Sequence, residues 1–244
     1  MRYQYLSLLF LIALNPLLVY KQNMQQVYKK RNNEFITVKI GDAIWMGENL
    51  NVITFRNGDT IPYAKTNEEW ISAAEKHLPA WCYFENDSSN KKKYGLLYNF
   101  YAVTDKRRLA PKGWHIPTLI EFYTLVNYFG GELVAAYKMK STFDWEKKCS
   151  QLSKCDVGYN GTDSLGFAAL PGGARTGIKG EFASDYPIAS FWSCTNFGHP
   201  DLGPDYLSID ACSGQDLFPE FSHKSYGLSV RCVKNQKLLR KYKF

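Results

Sequence analysis

Beyond Lys140 the chain is punctuated too often to sustain long elements. Residues 144–164, 171–188, 196–204 and 213–226 are rich in Gly, Asp, Asn, Ser and Pro. Between them stand brief β-like runs at Leu165–Leu170, Ala189–Cys194, Asp205–Ile209 and Gly227–Val233. Before Lys140 the signals are stronger. Phe35–Ile40, the Gly41-Asp42 turn and Ala43–Met46 read as a hairpin, with Gly first in the loop as a type II′ turn requires. Thr66 with Glu69, and Thr118 with Glu121, have the spacing of capping boxes and predict two helix starts. Phe122, Leu125, Val126 and Phe129 fall at helical spacing after the second, and Gly130-Gly131 supplies a left-handed stop. The expectation is an α+β domain of two main helices with short antiparallel sheets and long loops.

Composition agrees with one packed domain. The 244 residues are 45% hydrophobic and 16% aromatic, which excludes a disordered, collagenous or coiled-coil chain and a multidomain assembly. The net charge of +7 is unevenly placed. Arg2 supplies +1, residues 21–34 supply +3 and residues 234–244 supply +5, so residues 35–233 carry −2. Basicity confined to the ends does not make a phosphate-tracking stripe, and no nucleic-acid partner is expected.

Met1–Tyr20 has a positive charge at Arg2 followed by a largely apolar run from Leu6 to Tyr20, broken by Ser7, Asn15 and Pro16. That is the grammar of a signal peptide, or of an N-terminal anchor, and no other membrane span is expected. Residues 21–34 read as a basic linker, 35–234 as the domain and 235–244 as a basic tail. Export puts the six cysteines in an oxidising setting, where an even count favours disulfides. Proximity suggests Cys149 with Cys155 and Cys194 with Cys212, which leaves Cys82 with Cys232. Free buried thiols at Cys82 and Cys232 are the alternative.

Several strings together carry a family resemblance. Leu109-Ala-Pro-Lys-Gly-Trp-His-Ile-Pro-Thr118 with Glu121-Phe122 is joined by Trp45-Met-Gly-Glu-Asn-Leu-Asn51, Ala80-Trp-Cys-Tyr83 and Tyr94-Gly-Leu-Leu-Tyr-Asn-Phe-Tyr-Ala102. Gly166-Phe167 with Leu170-Pro-Gly-Gly173, Phe191-Trp-Ser193 and Gly227-Leu-Ser-Val-Arg-Cys-Val233 complete the set. In this order and spacing, from about 38 to 234, they closely resemble the Fibrobacter succinogenes major paralogous domain. The resemblance implies an exported or surface protein of the kind found in Bacteroidetes, and a C-type-lectin-like fold shared with formylglycine-generating enzymes. It implies no established biochemical role. The family usually shows Ser where Cys194 stands, and Cys149 and Cys155 fall in a variable loop, so two of the pairs look like additions to a Cys82/Cys232 framework.

The residues offer little catalytic chemistry. His77, His115, His199 and His223 are scattered singly, without the spacing of zinc ligands, and Cys212 lies between Asp210 and Asp216, which disfavours a thiolate. The calcium-dependent sugar motifs of C-type lectins are absent, and no cofactor or metal is expected. Trp45, Trp81, Trp114 and Trp192 suit a core role, because aromatic side chains dominate buried area.

Two function classes remain. One is an exported, non-catalytic binding module whose loop face from Phe191 to Phe221 presents Trp192, Asn196, Phe197, Tyr206 and Asp210 to a polysaccharide or cell-surface protein. The other is a formylglycine-generating-type oxidase acting through a cysteine pair.

Overall fold

In the computed structural model the described residues are 35–145, 160–183, 187–196, 203–210 and 219–236. In chain order the strands are β1 (Thr37–Ile40), β2 (Ala43–Met46), β3 (Trp81–Cys82), β4 (Leu97–Tyr98), β5 (Trp114–His115) and β6 (Ala174–Arg175). They continue with β7 (Phe182–Ala183), β8 (Ile188–Trp192), β9 (Asp205–Asp210), β10 (Pro219–Phe221) and β11 (Val233–Lys234). The helices are α1 (Asn67–Glu75), two single turns α2 (Lys91–Tyr94) and α3 (Phe100–Val103), α4 (Leu119–Tyr128) and α5 (Glu132–Met139).

The opening hairpin forms as its sequence requires. Thr37 faces Met46 and Ile40 faces Ala43, and of the two loop residues only Gly41 takes a positive φ, +59°. β11 then pairs with both β2 and β5, giving the sheet order β1-β2-β11-β5 and joining the two ends of the domain. A second sheet runs β10-β9-β8, and β3-β4 and β6-β7 are separate two-stranded pairs. All of these strand pairs are antiparallel, so the α+β expectation with short antiparallel sheets stands.

The Thr118 capping box is complete. Glu121 N–H donates to Thr118 Oγ1 at 3.2 Å, and Thr118 N–H donates to Glu121 Oε2 at 2.8 Å. The Thr66 cap differs from expectation. Its hydroxyl accepts from Glu69 N–H, but the Glu69 carboxylate takes the N–H of Lys65, one residue before the cap. The predicted pair of main helices becomes three, because Gly131 also starts α5, whose Ala135, Ala136 and Met139 are fully buried. Leu165–Leu170 is not a strand. Ala168 has φ +49° and gives its N–H to the Asp163 carboxylate, and only Ala169 pairs, in a single parallel bridge to Lys140, so the run does not continue as a ladder.

α4 drives Phe122, Leu125, Val126 and Phe129 into a core with Trp45, Phe167 and Phe191. A second cluster joins Met46, Trp81, Tyr98, Trp114, Trp192 and Cys232, and a third gathers Trp70, Ala80, Cys82 and Leu97. The expected Cys82–Cys232 disulfide is not formed. Both are free, buried thiols, and they belong to different clusters. Cys194 is also free, so the pair with Cys212 is not formed either; Cys149, Cys155 and Cys212 lie outside the described residues. Among the described residues no helix is long and apolar enough to cross a membrane.

Candidate functional site

The structure disperses the ligand face expected between Phe191 and Phe221. Trp192 is wholly buried and donates its indole N–H to Tyr98 O at 2.7 Å, with Phe100 5.3 Å away. It is scaffold, and this replaces the expectation of a ligand-facing ring. Tyr206 sits opposite Trp192 in the β8–β9 register and is half-buried, its ring 6.1 Å from the Trp192 ring. The dimple Tyr206 shares with Phe122, Tyr123 and Val126 holds about 10 Å³, room for no more than one water. Asn196 is exposed just beyond β8. Phe197 and the Asp210 side chain lie outside the described residues.

The signature around His115 builds a clamp. His115 Nε2 lies 2.8 Å from Glu121 Oε1, and Nδ1 lies 2.7 Å from Asn235 Oδ1. Asn235, assigned by the sequence to the basic tail, also donates its backbone N–H to Gly113 O. The Glu121 hydrogen bond holds the imidazole above its usual range against burial. Both ring nitrogens are engaged, by Glu121 and Asn235, so neither is presented to a ligand for general-base work. Nearby Cys194 N–H donates to Pro117 O, and partial desolvation followed by the Glu121 charge pushes its thiol up, away from a reactive thiolate.

Two buried guanidiniums account for other signature residues. Arg231 directs Nε and Nη2 at Asn49 Oδ1 (3.1 and 2.6 Å), donates from Nη1 to Phe167 O, and lies 4.5 Å from the Phe167 ring. Burial draws it below its ordinary range, to about 9, against the pull of Asp163 and Glu48. Arg175 donates to Gly180 O, Ala64 O and Asn67 Oδ1 and lies over the rings of Trp70 and Phe182. Gly227 is needed beside it, since a Cβ there would meet the Trp70 ring at 2.7 Å. The sequence did not mark these roles; the recurrence of Arg in otherwise apolar strand text was the one available signal.

An open groove lies between Pro62–Ala64 and α1, of about 450 Å³, within the range of small-ligand sites. The capped start of α1 sets its wall. Glu68, Glu69, Ser72, Ala73 and Lys76 share one helical face and line the groove, while Trp70 is buried behind them. The opposite side is Tyr63, whose ring stacks on the indole of Trp81 with centroids 4.3 Å apart and planes 9° apart. Tyr83 meets both rings edge-on at 5.2 Å, so Tyr63 is held as a rigid plate. Burial raises the Tyr63 phenol, keeping it a neutral donor at ordinary pH. The Thr66 hydroxyl hydrogen bond leads in holding Glu68 below the usual carboxylate range, so it is ionised. The groove thus offers a flat apolar plate facing planar acceptors, a hydroxyl and an ammonium. The sequence marked Thr66 and Glu69 only as a cap and Trp81 only as core, and it did not mark Tyr63, Glu68, Ser72 or Lys76; the 68, 69, 72, 73, 76 spacing of one helix face was the available sign.

The family model of the Fibrobacter succinogenes major domain matches residues 38–234, from within β1 to the end of β11. No curated protein and no solved structure matches the chain. The span takes in every strand and helix described above apart from the first residue of β1, and the chain belongs to the Fibrobacter succinogenes major domain family.

Proposed function

We propose that this is an exported, non-catalytic binding module of C-type-lectin-like fold, and that it holds a glycan in the groove between Tyr63 and α1. The observation that carries the reading is the pairing of a fixed aromatic plate with Glu68, Glu69, Ser72 and Lys76 across an open groove. Sugars are held by stacking their C–H faces on aromatic rings and by giving their hydroxyls planar acceptors and donors. This moves the proposed site away from the Phe191–Phe221 face, whose central ring is core.

The oxidase alternative has less support. Burial pushes the Cys82 thiol up to about 12 and the Cys232 thiol further, although Arg175 and Arg56 respectively pull the other way. Neither supplies a thiolate at neutral pH.

A glycan array probed with the secreted protein tests the reading. Wild type should retain at least one glycan, Ser72→Ala and Tyr63→Ala should weaken it at least tenfold, and Asn196→Ala should leave it unchanged. Loss in Asn196→Ala alone would return the site to the β8 end, and reactive thiols with substrate turnover would support the oxidase.

A further inference from the structure

We infer that the groove takes an uncharged glycan and binds it with little dependence on salt; this deepens the glycan reading and rests on it. The charges around the groove balance. Glu68 and Glu69 stand in the first turn of α1, Lys76 caps its end, and the Lys65 ammonium lies 5.6 Å from the Tyr63 ring centroid. The lining's Glu68, Glu69 and Lys76 sum to −1 and the Lys65 ammonium over Tyr63 offsets that charge, so neither a polyanion nor a polycation gains strong net attraction there. The order along the helix matters as well. Glu68 and Lys76 are eight residues apart, about 12 Å along the axis, so a chain bearing one repeated charge meets a like charge at one end whichever way it lies.

These groups are better placed as hydrogen-bonding partners than as counter-ions. Glu69 already spends Oε2 on Lys65 N–H at 2.6 Å, and Lys76 has no ion-pair partner within 4.0 Å among the described residues. Trp81 covers one face of Tyr63 and the Lys65 ammonium lies over the ring 5.6 Å from its centroid, so a sugar ring would displace that ammonium to stack on the remaining face. The body of the chain, at −2, gives no long-range steering toward anionic polymers.

Affinity electrophoresis of the full secreted chain tests this, with a neutral glucan or mannan set, an anionic uronate polymer and a cationic glucosamine polymer as probes. Retention by a neutral probe, changing less than twofold between 50 and 500 mM salt, is expected. Glu68→Lys should then add binding to the anionic probe, and Lys76→Glu binding to the cationic one, each by about fivefold or more, since each moves the local charge by two units and a single exposed charge in water is worth about fivefold. Retention only by a charged probe, or a fall of tenfold or more with salt, in either case lost in Tyr63→Ala, would overturn the charge inference and leave the glycan reading standing. Retention by no probe, with the fold intact by circular dichroism, would overturn both.

Discussion

Asn49 Oδ1 accepts from two nitrogens of Arg231, a residue 182 positions away, and this contact locks two signature strings together, with Arg231 Nη1 reaching Phe167 O of a third. A buried guanidinium without that acceptor is a charge left in an apolar cluster. Asn49→Leu should therefore cost about 3–5 kcal/mol in urea unfolding, more than Trp192→Tyr at a site of similar burial. A cost under about 1 kcal/mol would show the guanidinium solvated.

The His115 clamp makes a second residue-scale prediction. The folded His115 is raised, so its contribution is full below the ordinary His range near pH 6.5 and fades as pH rises through the folded value. For Glu121, burial pushes upward, but the His115 and Thr118 hydrogen bonds win and lower it. Its contribution is full above about pH 4.5 and is lost as pH falls through the folded value. The clamp should stabilise most between about pH 4.5 and 6.5, by up to about 1 kcal/mol for so exposed a pair. His115→Gln should flatten this part of the stability profile, and an unchanged profile would count against the clamp.

At the scale of elements, caps decide where the helices begin. Thr118→Ala should cost about 1 kcal/mol and so should Thr66→Ala, since both hydroxyls accept the third helical N–H. Glu121→Ala should cost more than Glu69→Ala, because Glu121 also holds His115. Chemical denaturation of the four variants checks the order.

Local chemistry made these elements readable. The Gly41 turn and the Thr118 box are settled within four residues of sequence, and the α4 stripe within eleven. Arg231 and Arg175 were not readable, because their partners lie far along the chain and only the assembled fold brings them in. Leu165–Leu170 misled because only Ala169 pairs, in a single bridge to Lys140, while the Asp163 side chain takes the Ala168 N–H. The groove escaped notice because Tyr63 becomes a plate only when β3 stacks Trp81 beneath it.

For the whole molecule, the even cysteine count argued for a cross-linked framework, and the folded chain instead buries Cys82 and Cys232 as separate thiols. Sequence proximity cannot report which cluster a cysteine enters. Alkylation of the native protein without reductant should spare both residues, and unfolding in denaturant should expose both to labelling. A disulfide-linked peptide pair containing them would refute this. The packing of three clusters around short strands then leaves α1 as the helix whose polar face opens on a groove beside a fixed aromatic ring.

The proposed groove is tested most directly by filling it. Ser72→Trp places a large ring on the groove wall, on a half-buried position outside the core clusters. Glycan retention should be abolished while the melting temperature stays within about 4 °C of wild type, the shift expected for a change of about 1 kcal/mol or less. Full retention by this variant, at unchanged stability, would contradict the groove as the binding site.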